Sequence, residues 1–117
     1  MSSKKKTNED YELKSFSDIR NDLKRETLKD KLKFDMFIDE VVDQKLILSN
    51  VDILEEGIIL YVRPIPDSGK LLRVFSNSRV IKKQVPILQK ALDKYKEIII
   101  TVKKVQSKMG KTYYQIF

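Results

Sequence analysis

The chain contains no cysteine and no histidine. Without cysteine there is no disulfide, no thiolate metal site and no cysteine nucleophile. Without histidine the commonest general base and the commonest zinc ligand are both missing. Glycine is almost as scarce, with Gly57, Gly69 and Gly110 each in a turn-like context, so neither a glycine-rich phosphate loop nor a dinucleotide fingerprint can be built. No apolar run approaches the roughly 20 residues of a membrane span. Met1 to Lys6 is polar and leads into more polar sequence, which is not the start of a signal peptide. The expectation is a soluble protein of the cytoplasm, or of the host-cell interior if the source is viral. Acid is also rationed, because Asp93 and Glu97 are the only carboxylates after residue 69.

What is present is one domain's worth of sequence, 117 residues able to bury a modest core. Lysine and arginine outnumber acids to give a net charge of +7, but the excess is unevenly placed. Residues 1–30 hold 8 basic and 7 acidic side chains, residues 31–69 hold 4 and 8, and residues 70–117 hold 12 and 2. A strong positive field confined to one portion of a chain points to a polyanionic partner, most often nucleic acid.

Residues 1–14 are lysine-rich and aperiodic and read as a flexible basic arm. A helical region is expected over 15–43. Ser15 and Ser17 suit an N-cap, and Ile19, Leu23, Leu28 and Leu32 mark a first, imperfect apolar stripe. Phe34, Phe37, Ile38, Val41 and Val42 fall at helical spacing and predict a second helical face, with Asp35, Asp39 and Asp43 opposite. Those three carboxylates read as a solvated face rather than a metal site. The stripe is too large to stay exposed and has to pack on the rest of the chain or on a second subunit, as in a homodimer.

From residue 44 the period changes to two. Leu46–Leu54 reads as a strand interrupted at Ser49-Asn50, where a bulge can form. Ile58–Arg63 and Lys70–Phe75 read as two more strands, separated by a Pro64 to Gly69 turn. Ser76-Asn77-Ser78 caps a helix to about Tyr95, with Pro86 either kinking it or starting a second one. The chain closes on a hairpin, Glu97–Phe117, whose tip holds Gly110 and whose lysines have no acid among them. The fold class is therefore α+β, mainly β. Five strands with a helix between the third and fourth match the element order of an OB-like barrel over 44–117, preceded by one or two N-terminal helices.

The third strand ending in Arg73-Val74-Phe75-Ser76-Asn77-Ser78, the helix, and the hairpin Val102-Lys103-Lys104-Val105 to Gly110-Lys111-Thr112-Tyr113-Tyr114 together resemble small OB-fold single-stranded-DNA-binding proteins of viruses and plasmids. The resemblance covers residues 34–117 and implies a role in replication, recombination or packaging. No acidic, glycine-rich tail of the bacterial single-stranded-DNA-binding kind follows, so recruitment of partners through such a tail is not expected.

Single-strand binders join a cationic groove to aromatic faces on which bases stack. With Leu60, Val62, Leu72 and Val74 facing a core, Tyr61, Arg63, Arg73 and Phe75 face outward, and Gln115 marks the outward face that also carries Tyr113. Arg79, Lys82 and Lys83 flank this surface from the helix, and Lys103, Lys104, Lys108 and Lys111 contribute phosphate contacts from the hairpin. The expected partner is single-stranded nucleic acid, DNA more than RNA, bound without sequence specificity, and no cofactor or catalytic role is expected. A metal-dependent nuclease would need the carboxylates of the acidic middle to converge. A duplex reader would need a helix presenting Arg, Asn and Gln on one face, and none does so. The rival reading is a structural or adaptor protein that self-associates through its helical region and offers its basic face to an acidic partner.

Overall fold

A computed structural model describes residues 13–66 and 69–117, so the basic arm expected over 1–14 lies, but for its last two residues, outside the described residues. The chain divides into two units between Lys33 and Phe34. Among the described residues the first holds one helix, α1 (Phe16–Leu32). Ser15 caps it by accepting a hydrogen bond from the Asp18 backbone N–H at 3.1 Å. At the other end Lys33 takes the left-handed conformation and returns its N–H to the Lys29 carbonyl. None of its residues is buried, and Leu13, Phe16, Ile19 and Leu23 are exposed.

The second unit is built on one six-stranded, curled, half-barrel sheet: β1 (Met36–Phe37), β2 (Lys45–Ile53), β3 (Ile58–Pro64), β4 (Leu72–Ser76), β5 (Ile98–Gln106) and β6 (Thr112–Ile116). Its spatial order is β1-β4-β3-β2-β5-β6. Helix α2 (Arg79–Tyr95) connects β4 to β5. All ladders are antiparallel except the short pairing of β1 with β4. The count therefore exceeds the five strands expected, and among the described residues no ladder joins the two ends of the sheet into a closed barrel.

Alternation decides which face each strand buries. Leu46, Leu48, Val51, Leu60, Val62, Val74, Ile100 and Val102 point to one side, where Ile81, Val85 and Leu88 of α2 close over them. Complete burial of each aliphatic side chain contributes roughly 1.5–3 kcal/mol, and this layer is the main core. The register of β2 against β3 slips between Leu48 and Asn50, the position of the polar interruption in the sequence. Helix α2 runs unbroken through Pro86, which is exposed, instead of ending or restarting there.

Residues 34–42 do not form the second helix that their spacing predicts. Met36 and Phe37 pair with Val74 and Phe75 as β1, and Ile38–Val41 makes one 3-10 turn. The Glu40 carboxylate accepts the Phe37 N–H at 2.8 Å and fixes that turn. The apolar side chains do pack, since Phe34, Ile38 and Val41 are buried. Phe34 stacks on Phe75 with centroids 5.0 Å apart, and Phe37 meets Phe34 edge-on at 4.8 Å. This places a second, smaller apolar layer on the side of β3 and β4 that points away from the main core, with Ile59 beside Phe75 in register. Gly57 is required beneath it, because a Cβ there would sit 2.4 Å from the Ser76 carbonyl oxygen and 2.9 Å from the Phe75 ring.

Candidate functional site

The outward face of β3 and β4 carries Tyr61, Arg63 and Arg73, as the alternation requires, and Tyr61 lies directly opposite Arg73. Phe75 shares this face but not its exposure. Only 3% of it reaches solvent, because the Phe34 and Phe37 rings cover it. The expectation that Phe75 stacks on a ligand is therefore corrected: the strand phase is as read, but a segment distant in sequence occupies the space outside it.

Acids engage two of the remaining three side chains, Tyr61 and Arg63. The Tyr61 hydroxyl donates to Asp52 Oδ2 at 2.5 Å across the β2–β3 ladder. That bond, with burial and the Asp52 charge, raises the Tyr61 pKa above its usual value, while the Arg73 charge pulls it back. Arg63 pairs with Glu97 at the foot of β5. The Arg73 backbone N–H donates to the Asp35 carboxylate at 2.8 Å, which leaves its exposed guanidinium free of that contact. Asp52 was legible in principle: a turn pairing Ile53 with Ile58 puts Asp52 on the same face as Tyr61.

A second group forms at the other end of the sheet. Ser78 caps α2 by accepting the Ile81 N–H, and its hydroxyl donates to the Tyr114 carbonyl of β6 at 3.1 Å. Two turns along α2, the Gln84 amide donates to the Ile116 carbonyl at 2.7 Å and accepts the Ile116 N–H at 2.9 Å. Side chains of α2 thus take the hydrogen bonds that a neighbouring strand would offer to β6. Because they reach only two positions, a cleft of about 310 Å³ stays open between β6 and the start of α2, lined by Asn77, Ser78, Arg79, Val80 and Thr112–Tyr114. Tyr113 is half-buried in its wall and Arg79 is exposed. Asn77, Ser78 and Arg79 also line a neighbouring cleft of about 200 Å³ that reaches Lys82 and the acidic turn Glu55-Glu56. The sequence reading took Asn77 and Ser78 as capping residues alone, and nothing local marks them as cleft residues.

The hairpin is built as expected at its tip, where Gly110 takes a positive φ of 82° and Ser107 closes the loop by accepting the Gly110 N–H and donating to the Lys111 carbonyl. Its lysines do not act as one group. Lys103 lies opposite Gln115 and pairs with Asp43 at 3.1 Å, whereas Lys104 lies opposite Tyr114 on the other face. Lys108 and Lys111 are exposed at the tip, and Lys82 and Lys83 are exposed on α2. Asp35, Asp39 and Asp43 do not share a helix face, because there is no helix there, and among the described residues no three potential metal ligands converge. Also among the described residues, no helix is long and apolar enough to cross a membrane. No protein-family model, no curated protein and no solved structure matches this chain.

Proposed function

We propose that the protein binds single-stranded nucleic acid without sequence specificity, on a surface that runs from the Tyr113–Arg79 cleft to the exposed lysines of the hairpin tip. The observation that carries this reading is the cleft itself, which the half-buried Tyr113 and the exposed Arg79 line together. A half-buried ring is held rigid yet keeps one face for stacking, and the adjacent guanidinium supplies charge for a phosphate. Arg79 and Lys82 of α2 and Lys104, Lys108 and Lys111 of the hairpin are all exposed. In this reading β2 to β6 are a variant of an OB-like barrel. The meander β2-β3-β4 and the placement of β5 on the free side of β2 support that assignment, with β1 added at one edge. Replication, recombination or packaging of DNA is the process such a protein would serve.

The test is binding to fluorescent oligo-dT, oligo-U and a duplex of equal length across a salt series. Displaced counterions make log affinity fall linearly with log salt. Replacing Lys104, Lys108 and Lys111 by Gln flattens the slope and leaves the melting temperature unchanged. Affinity that is flat between low and moderate salt rules the reading out. The adaptor alternative has one observation in its favour, the unburied apolar stripe of α1, and it is the reading to adopt if oligonucleotides fail to bind while light scattering finds a dimer.

A further inference from the structure

A groove of about 240 Å³ lies between the C-terminal half of α2 and the β5–β6 end of the sheet. Ile87, Leu88, Ala91, Ile98, Ile99 and Phe117 supply most of its wall. Single exposed apolar residues are ordinary on a protein surface. Here three converge on one groove, with Ile87 72%, Ile99 66% and Phe117 63% exposed. Clustered exposure of that kind marks a binding surface.

On its α2 side the groove is bordered by cations. On α2 the spacing of Lys83, Lys90 and Lys94 sets three cations in one line, about 16 Å long, along the solvent side of the helix. Ile87 is the apolar residue next to that line, so the cations stand where α2 meets the groove. Asp93 is the single acid of α2. The polar group inside the groove, the Gln84 amide, is already engaged by both backbone groups of Ile116. The groove's walls are mostly aliphatic. Its volume is below the roughly 300–1,000 Å³ usual for small-molecule sites. A large apolar side chain fits it well, with carboxylates on either side of that anchor reaching the lysines.

We infer that this groove docks a short acidic segment of a partner protein, anchored by a leucine- or phenylalanine-sized side chain in the groove and flanked by carboxylates that meet Lys90 and Lys94. The site is separate from the Tyr113–Arg79 cleft and stands whether or not oligonucleotides bind there. The probe is a short fluorescein-labelled peptide in which Leu and Phe alternate with pairs of Asp, read by anisotropy. One control replaces Leu and Phe by Ser at unchanged charge, and another replaces Asp by Lys. The mixed acidic peptide binds and neither control does. Ile87→Asp, a change at an exposed position that leaves the melting temperature in place, weakens binding by about tenfold or more, as for a central anchor contact. Lys90→Glu with Lys94→Glu also weakens it, and added salt narrows that difference. Four results overturn the inference: the mixed acidic peptide fails to bind; the Ser-substituted peptide binds equally well; Ile87→Asp reduces oligo-dT affinity as much as peptide affinity, which assigns the groove to nucleic acid; or Ile87→Asp dissociates a dimer seen by light scattering, which assigns it to a second copy.

Discussion

At the β4 edge of the sheet the covering is backbone and aromatic ring, whereas at the β6 edge it is two side chains of α2. On the first side β1 pairs with β4, and Phe34 and Phe37 close over Phe75, so that this ring is buried although it points away from the main core. On the second side Ser78 and Gln84 satisfy Tyr114 and Ile116 one position at a time, and a cleft remains beside Ser78, toward Thr112. The difference bears directly on function. An aromatic on a sheet can stack on a ligand only where its own ring is uncovered, which Phe34 and Phe37 deny to Phe75, whereas Tyr113 is half-buried in the wall of a cleft.

The comparison is broken most forcefully at Phe75. If the ring is core, Phe75→Ala costs about 3–5 kcal/mol of stability, read by thermal or urea unfolding, and leaves oligo-dT affinity of the folded fraction unchanged. A stable variant with weakened affinity would return Phe75 to the ligand surface. At the opposite edge, Gln84→Ala strands the Ile116 N–H and carbonyl and costs about 1–3 kcal/mol. Hydrogen exchange sharpens this result: the Ile116 amide loses protection while that of Val102, in the core, keeps it. Equal loss at both would mean that Gln84 supports the whole fold and not the β6 edge.

The smallest effect is at Tyr61. Its pKa is raised from 10.0, chiefly by the hydrogen bond to Asp52. An acid whose folded pKa lies above its unfolded value adds stability that is fully present below the unfolded value and lost as pH rises through the folded one. On the alkaline side the Tyr61–Asp52 pair therefore weakens above pH 10. Carbon-13 tyrosine shifts through an alkaline titration measure this, and Asp52→Asn lowers the midpoint. An unchanged midpoint would show that the Asp52 charge does not reach the phenol.

Much of the second unit can be read from the chain because its signals are local. The two-residue alternation in Leu46–Leu54, Ile58–Arg63 and Ile98–Val102 fixes which side chains meet α2, and Ser78 announces the helix by its capping geometry. The bulge at Ser49-Asn50 and the Gly110 tip are equally local. Residues 34–42 defeat the same reasoning. Spacings of three and four suit a helix, but a short strand followed by a 3-10 turn satisfies them as well, and the choice is made by Val74 and Phe75, nearly forty positions away. The site fails for the same cause. Whether Phe75 or Tyr113 is open depends on what covers an edge, and the covering residues, Phe34, Phe37 and Gln84, reach it from elsewhere in the chain.

The most direct test of the account compares Tyr113→Ala with the unaltered protein, each titrated with oligo-dT and with duplex of the same length. A stacked base is worth ~1–3 kcal/mol. The unaltered protein is expected to prefer the single strand, and Tyr113→Ala to lose that preference by a corresponding factor while the salt slope and the melting temperature hold. Equal affinity for single strand and duplex, untouched by the substitution, would contradict it and leave only a cationic surface.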